Sequence, residues 1–199
     1  MMAHTEKAEL TPVPLPAAVD DELVRRCQAG DREPFRQIVE RYGDLVFGTA
    51  LQMTRDRALA EDLTQDAFVH AWRGIGGFRL GSPLRPWLMR ILHNRVVSHK
   101  RRRLLDMLPL PSAEHARDRQ PGPDAVVELA EERSRMRVAL ATLSDDHRRI
   151  VVLRYYSELS VPEIAQATGL PDGTVKSRLH RALQRLRETL ETAERSDVS

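Results

Sequence analysis

Between Asp21 and about Arg103 the apolar residues return every third or fourth position, and no stretch alternates as a half-buried strand does. A chain patterned this way is confined to helices that each bury one stripe. Spacing and breakers predict four, at about 21–29, 32–54, 57–74 and 85–103. The third is the clearest. In "RDRALAEDLTQDAFVHAW", Leu59, Leu63, Ala67, Ala71 and Ile75 follow four-residue steps and form an inward stripe. Asp62, Gln65, Asp66, Val69 and Arg73 lie on another face, mainly polar and acidic.

Four glycines and two prolines in "GIGGFRLGSPLRP" (74–86) then end the helical pattern. Pro86 fits the first turn of the next helix, where a missing N–H costs nothing. That helix, "PWLMRILHNRVVSHKRRR", sends some of Leu88, Ile91, Leu92 and Val96 inward. Its other side offers Trp87, Arg90, Asn94, Arg95 and the run Lys100-Arg101-Arg102-Arg103. Cations at a helix C-terminus suit the macrodipole, but that does not explain an indole and an amide on the same face. Such a set stacks on and hydrogen-bonds unpaired bases.

Residues 104–124 hold four prolines and lose the period, which separates two domains. Periodicity resumes at Ala125 in a helix expected to run to about Thr142. Ser144 reads as an N-cap, with Asp145 and Asp146 in the first turn of the helix that follows. In "LSVPEIAQATGLPDGTVKSRLHRAL" (159–183), Ile164 and Ala165 are expected to face inward. Gly169 is placed to end the helix in the left-handed conformation, and Val175 to return to the same small core. Ala165, Gly169 and Val175 have helix-turn-helix spacing. The second helix should run from about Asp172 to Glu191, with Val175, Leu179, Leu183 and Leu186 inward. Its opposite face carries Lys176, Ser177, His180, Arg181 and Gln184. In this motif the second helix enters the major groove, where Arg and Lys pair with guanine edges. Arg154, on the preceding helix, is placed to hold a phosphate.

Net charge is only +2 although Lys+Arg number 31, with lysine confined to Lys7, Lys100 and Lys176. The fork of arginine suits phosphates and base edges. With Cys27 as the single cysteine, an intramolecular disulfide is impossible and a cysteine-based zinc site is disfavoured. The seven histidines are scattered without metal-ligand spacing, and no glycine-lysine phosphate loop is present, so no enzyme, cofactor or metal is expected. Neither a signal peptide nor a membrane span is visible, so a soluble, cytoplasmic protein of a reducing compartment is expected.

"LSVPEIAQATGLPDGTVKSRLHRAL" (159–183), with "LSDDHRRIVVLRYYSEL" before it, resembles region 4 of the extracytoplasmic-function (group IV) sigma factors of bacterial RNA polymerase. "ALAEDLTQDAFVHAW" followed by "FRLGSPLRPWLMRILHNRVV" resembles their region 2. The resemblance covers about Asp21 to Arg103 and Val126 to Leu190, in the family's order. It implies an all-α chain of two small helical domains. The expected divisions are an N-terminal arm (1–20), region 2 (21–103), a linker (104–125), region 4 (126–192) and a tail (193–199).

By resemblance, Asp62, Gln65 and Asp66 dock on core RNA polymerase. Phe78, Arg79, Gly81 and Ser82 lie in a loop that captures a flipped base of the −10 element. Trp87, Asn94, Lys100, Arg101 and Arg102 face the melted non-template strand. Lys176, Ser177, His180 and Arg181 read the −35 duplex, with Arg154 on its backbone. An anti-sigma factor is the expected inhibitory partner. Two departures affect the −10 contact: Pro86 stands where many members have Ser or Thr, and Ser98 and His99 stand where many have an acid. The competing reading is a stand-alone helix-turn-helix regulator of operator DNA. It accounts for 144–190 but leaves the acidic stripe and the Trp–Asn–Arg helix idle.

Overall fold

The computed structural model describes residues 17–106 and 138–196, and every regular element among them is helical. Four helices build the first unit: α1 (Ala17–Gln28), α2 (Glu33–Thr54), α3 (Arg57–Gly74) and α4 (Leu84–Asp106). Their ends follow from local chemistry. Asp56 caps α3 by accepting the Leu59 N–H at 3.1 Å. Arg55 takes a left-handed φ of 60° to close α2, and its N–H returns to the Leu51 carbonyl. A 3-10 turn, Ile75–Gly77, follows α3 directly.

The inward stripe of α3 is buried at Leu63, Ala67, Ala71 and Ile75, with Leu59 partly so. Ile38, Val46 and Ala50 of α2 and Leu84, Leu88 and Leu92 of α4 complete this core. Burying each of the Val, Leu and Ile side chains contributes about 1.5–3 kcal/mol. Phe35 seals one end, edge-on to both Phe68 and Trp72.

α1 begins at Ala17, earlier than the periodicity predicts, so residues 17–20, expected in the arm, are helical. Asp20 is the cause: it is 7% exposed, accepts the Tyr42 hydroxyl at 2.5 Å and pairs with Arg41 at 2.8 Å. A buried carboxylate tied to α2 holds the extra turn in place. Residues 1–16 lie outside the described part, as do 107–137, which include most of the expected linker and of the helix expected from Ala125. Residues 104–106 continue α4, and 138–141 are helical.

The second unit holds α5 (Asp145–Val151) running into a π-helical turn (Val152–Tyr156), then α6 (Val161–Thr168) and α7 (Asp172–Ser196). Ser144 caps α5 as expected, accepting the His147 N–H at 3.4 Å. Ile150, Leu153, Leu159, Ile164, Val175, Leu179, Ala182 and Leu186 form its core. Leu183 is the exception to the expected stripe. It is 39% exposed and Ala182 takes the buried position, because α7 presents its 175–179–182–186 face inward. The two units touch: α2 and α4 pack against the π-turn and α6.

Candidate nucleic-acid and polymerase interface

The helix-turn-helix rests on two local devices. Ser160 and Glu163 form a capping box in which the Ser160 N–H donates to the Glu163 carboxylate at 2.8 Å. At the other end Gly169 has φ +71°, and its N–H returns to the Ala165 carbonyl at 2.8 Å. The chain therefore turns sharply, and α7 starts three residues later at Asp172. Ala165 is partly buried in the angle, while Ile164 and Val175 are fully buried beneath it.

This geometry leaves Lys176, Ser177, His180, Arg181 and Gln184 exposed along one side of α7. Lys176, His180 and Arg181 make no ion pair or hydrogen bond among the described residues, so their donors are available to a ligand. Ser177 bonds back to the Thr174 carbonyl at 3.0 Å. Arg178, on the flank, is instead engaged with Asp146 at 3.4 Å. Arg154 is exposed, but one guanidinium N–H is committed to the Leu159 carbonyl at 2.9 Å, and the group lies over the Tyr155 ring. Braced in this way, Arg154 keeps further donors unengaged among the described residues, which suits a fixed phosphate contact.

In the first unit Asp62, Gln65, Asp66, Val69 and Arg73 are all exposed on α3. Asp62 and Gln65 are unpaired among the described residues. Next to them His70 spans two helices: Nδ1 lies 2.8 Å from the Asp66 carbonyl and Nε2 lies 3.1 Å from Arg95. Because Arg95 can only donate, Nε2 accepts and the Nδ1–H donates. The acidic face of α3 is thereby pinned to α4.

The loop after α3 is held from α1. Gln28 donates to the Ile75 and Phe78 carbonyls at 2.9 and 2.8 Å, and Asp21 accepts the Gly81 N–H at 2.9 Å. Arg79 is exposed and Ser82 half-buried. Phe78 departs from its expected role. It is 7% exposed and packs edge-on to Trp87 at 5.1 Å, so its ring supports the loop and offers no free face to a base. Trp87 is half-buried by that contact.

At 3.6 residues per turn α4 presents three faces. Leu84, Leu88, Leu92 and Arg95 turn to the helical bundle. Trp87, Arg90, Asn94 and Arg101 share an open face, with Arg90, Asn94 and Arg101 exposed. Arg102 is exposed nearby. Lys100 falls on the third face, toward the second unit, and pairs with Asp145 at 2.6 Å.

Sequence patterns did not single out two groups that position these faces. Arg148, 3% exposed, donates to the Leu140 and Leu143 carbonyls at 2.9 and 2.7 Å and to Asp145. It satisfies the open carbonyls of the helical turn before α5. Burial pulls its pKa below the ordinary arginine value. Gln28 is the other. Both look like solvated polar residues in a one-dimensional pattern.

Residues 38–104 match Sigma-70 region 2 and residues 139–188 match Sigma-70, region 4. The chain is 32% identical over 178 residues to the ECF RNA polymerase sigma factor SigW of Bacillus subtilis, covering 84% of this chain and 94% of that one. It is 31% identical over 181 residues to the RNA polymerase sigma-H factor of Pseudomonas aeruginosa, covering 86% and 94%. The solved structure of CnrH in complex with the cytosolic domain of CnrY superposes with a TM-score of 0.66 at 26% identity, over 87% of this chain and 98% of that one. The sigma factor RpoE of Bartonella quintana, solved with the anti-sigma factor NepR, superposes at 0.63 with 30% identity, over 79% and 96%. No helix among the described residues is long and apolar enough to cross a membrane. With both regions present in this order, and relatives matched over nearly their whole length, the chain belongs to the sigma-70 family as an extracytoplasmic-function RNA polymerase sigma factor.

Proposed function

We propose that the chain docks on core RNA polymerase through Asp62, Gln65 and Asp66 and directs it to promoters by two separate DNA contacts. Lys176, Ser177, His180 and Arg181 read the −35 duplex from the major groove, and Arg154 holds a phosphate. Arg79, Ser82, Trp87, Asn94, Arg101 and Arg102 hold the non-template strand of the −10 element, with Lys100 joining them once it is free of Asp145. The observation that supports this most is the pairing, in one chain, of an unengaged cationic helix face with an open Trp–Arg–Asn face. The first fits a groove and the second fits unstacked bases.

Strand capture of this kind needs no bond made or broken. Binding single strands better than duplex shifts the melting equilibrium by itself. The chain therefore acts in the cytoplasm as a binding factor, not as an enzyme, and needs no metal or cofactor. One solved neighbour is bound to an anti-sigma factor, which supports an inhibitor of the same kind for this chain. The stand-alone regulator is set aside because both sigma regions are present.

Run-off transcription tests the reading. Core enzyme plus this chain should start at the promoter upstream of the chain's own operon, and core enzyme alone should not. Equal transcription with and without the chain would reject it.

A further inference from the structure

α1 lies upstream of the segment matched to region 2, which begins at Ile38, yet its side chains hold the loop after α3. Asp21 and Gln28 are seven residues apart, so they share one face of the helix, about 10 Å from each other along its axis. Gln28 fixes the start of the loop by donating to the Ile75 and Phe78 carbonyls. Asp21 fixes its tip by accepting the Gly81 N–H at 2.9 Å.

The tip is a tight turn. The Ser82 N–H returns to the Arg79 carbonyl at 3.2 Å, and between them only Gly81 has a positive φ, +80°. That combination is a type II turn with Leu80 and Gly81 at its centre. The turn's own bond leaves the Gly81 N–H open, and Asp21 takes it. Four glycines between 74 and 81 give this segment much backbone freedom to lose, so its shape depends on outside support. Beneath the tip, Phe78 rests on Trp87 and offers no exposed ring. The tip presents Leu80, 38% exposed, beside the exposed Arg79, whose guanidinium is unengaged among the described residues. An extruded base is held by apolar surface against its face and hydrogen bonds to its edge. Leu80 and Arg79 offer one of each.

We propose that α1 is part of the −10 reader: Asp21 and Gln28 are positioning residues that fix the 79–82 turn, so that Leu80 and Arg79 meet one extruded base and set which base is accepted. A turn held at both ends keeps the two side chains in one arrangement before the strand arrives, and little ordering remains at binding. A loosened turn takes several arrangements and suits several bases, which lowers discrimination more than affinity. The role of α1 rests on the reading of this loop as a −10 contact, and the experiment separates the two.

Core enzyme with the full chain is assayed on the chain's own promoter, with each −10 position set in turn to all four bases. The readout is the ratio of run-off transcript from the best base to that from the worst at each position. Asp21→Ala should lower this ratio about fivefold at one position, the effect of one lost hydrogen bond. Gln28→Glu, equal in size but without the donor, should lower it at the same position, and so should Leu80→Ala. Asp21→Asn, whose amide oxygen accepts the same N–H, should restore the ratio. Parental ratios in both α1 variants, an equal fall at every −10 position, or a fall that Asp21→Asn does not rescue would overturn the role of α1 and leave the functional reading standing. Leu80→Ala, on an exposed turn, carries the test where an α1 variant does not fold, and an unchanged ratio there would overturn the base contact. A parent chain with no base preference at −10 would overturn the functional reading, and the role of α1 with it.

Discussion

His93 has its Nδ1 without a hydrogen-bond partner among the described residues, and burial pushes its pKa down to about 4, helped by Arg149 and opposed by Asn94 and Asp146. The ring is therefore neutral where it sits and charged, below about pH 6.5, once exposed. A depressed native value means that stability is complete above the exposed value and declines as pH falls toward 4. From pH 7.5 to pH 5 the loss should be about 2 kcal/mol. Urea unfolding of parent and His93→Leu at the two pH values checks this, and the variant should show the smaller loss by that amount. Two glycines give opposite signs. Gly169→Ala forces a side chain into φ +71° and should destabilise by about 1 kcal/mol, although nothing crowds the new methyl. Gly173, in the first turn of α7 at an ordinary φ and in open space, should gain up to about 1 kcal/mol on the same change.

The proposed contacts fall on helices, and α7 and α3 can be tested separately. Lys176→Ala with Arg181→Ala removes two free donors from an exposed face, so folding should be unchanged. Transcription from promoters that depend on the −35 element should fall at least tenfold, since a good base contact is worth about 1–3 kcal/mol. Asp62→Ala with Asp66→Ala should weaken core-enzyme binding, read by fluorescence anisotropy, and leave the melting temperature of the free chain unchanged. The elements themselves were legible in the sequence because helical period and caps are local: α2 to α4, Ser144 and Gly169 follow from spacing alone. The features that spacing does not show depend on distant partners. Asp20 extends α1 through Tyr42 and Arg41, Phe78 is buried by Trp87, and Lys100 is turned away by Asp145. Leu183 departs from the stripe for a nearer reason: Ala182 satisfies the same stripe with a smaller side chain.

For the molecule as a whole, the division of labour matters more than any one contact. Under the proposed function both DNA contacts are held on one polymerase, which raises the effective concentration of the second contact. The direct test is a footprint on the chain's own promoter with core enzyme, the chain, or both. The account predicts backbone protection over the −35 element and permanganate-reactive thymines at −10 only when both proteins are present. The first signal should fade with Lys176→Ala/Arg181→Ala and the second with Trp87→Ala/Asn94→Ala. Full protection of the −35 site by the chain alone, or strand opening without it, would contradict the account.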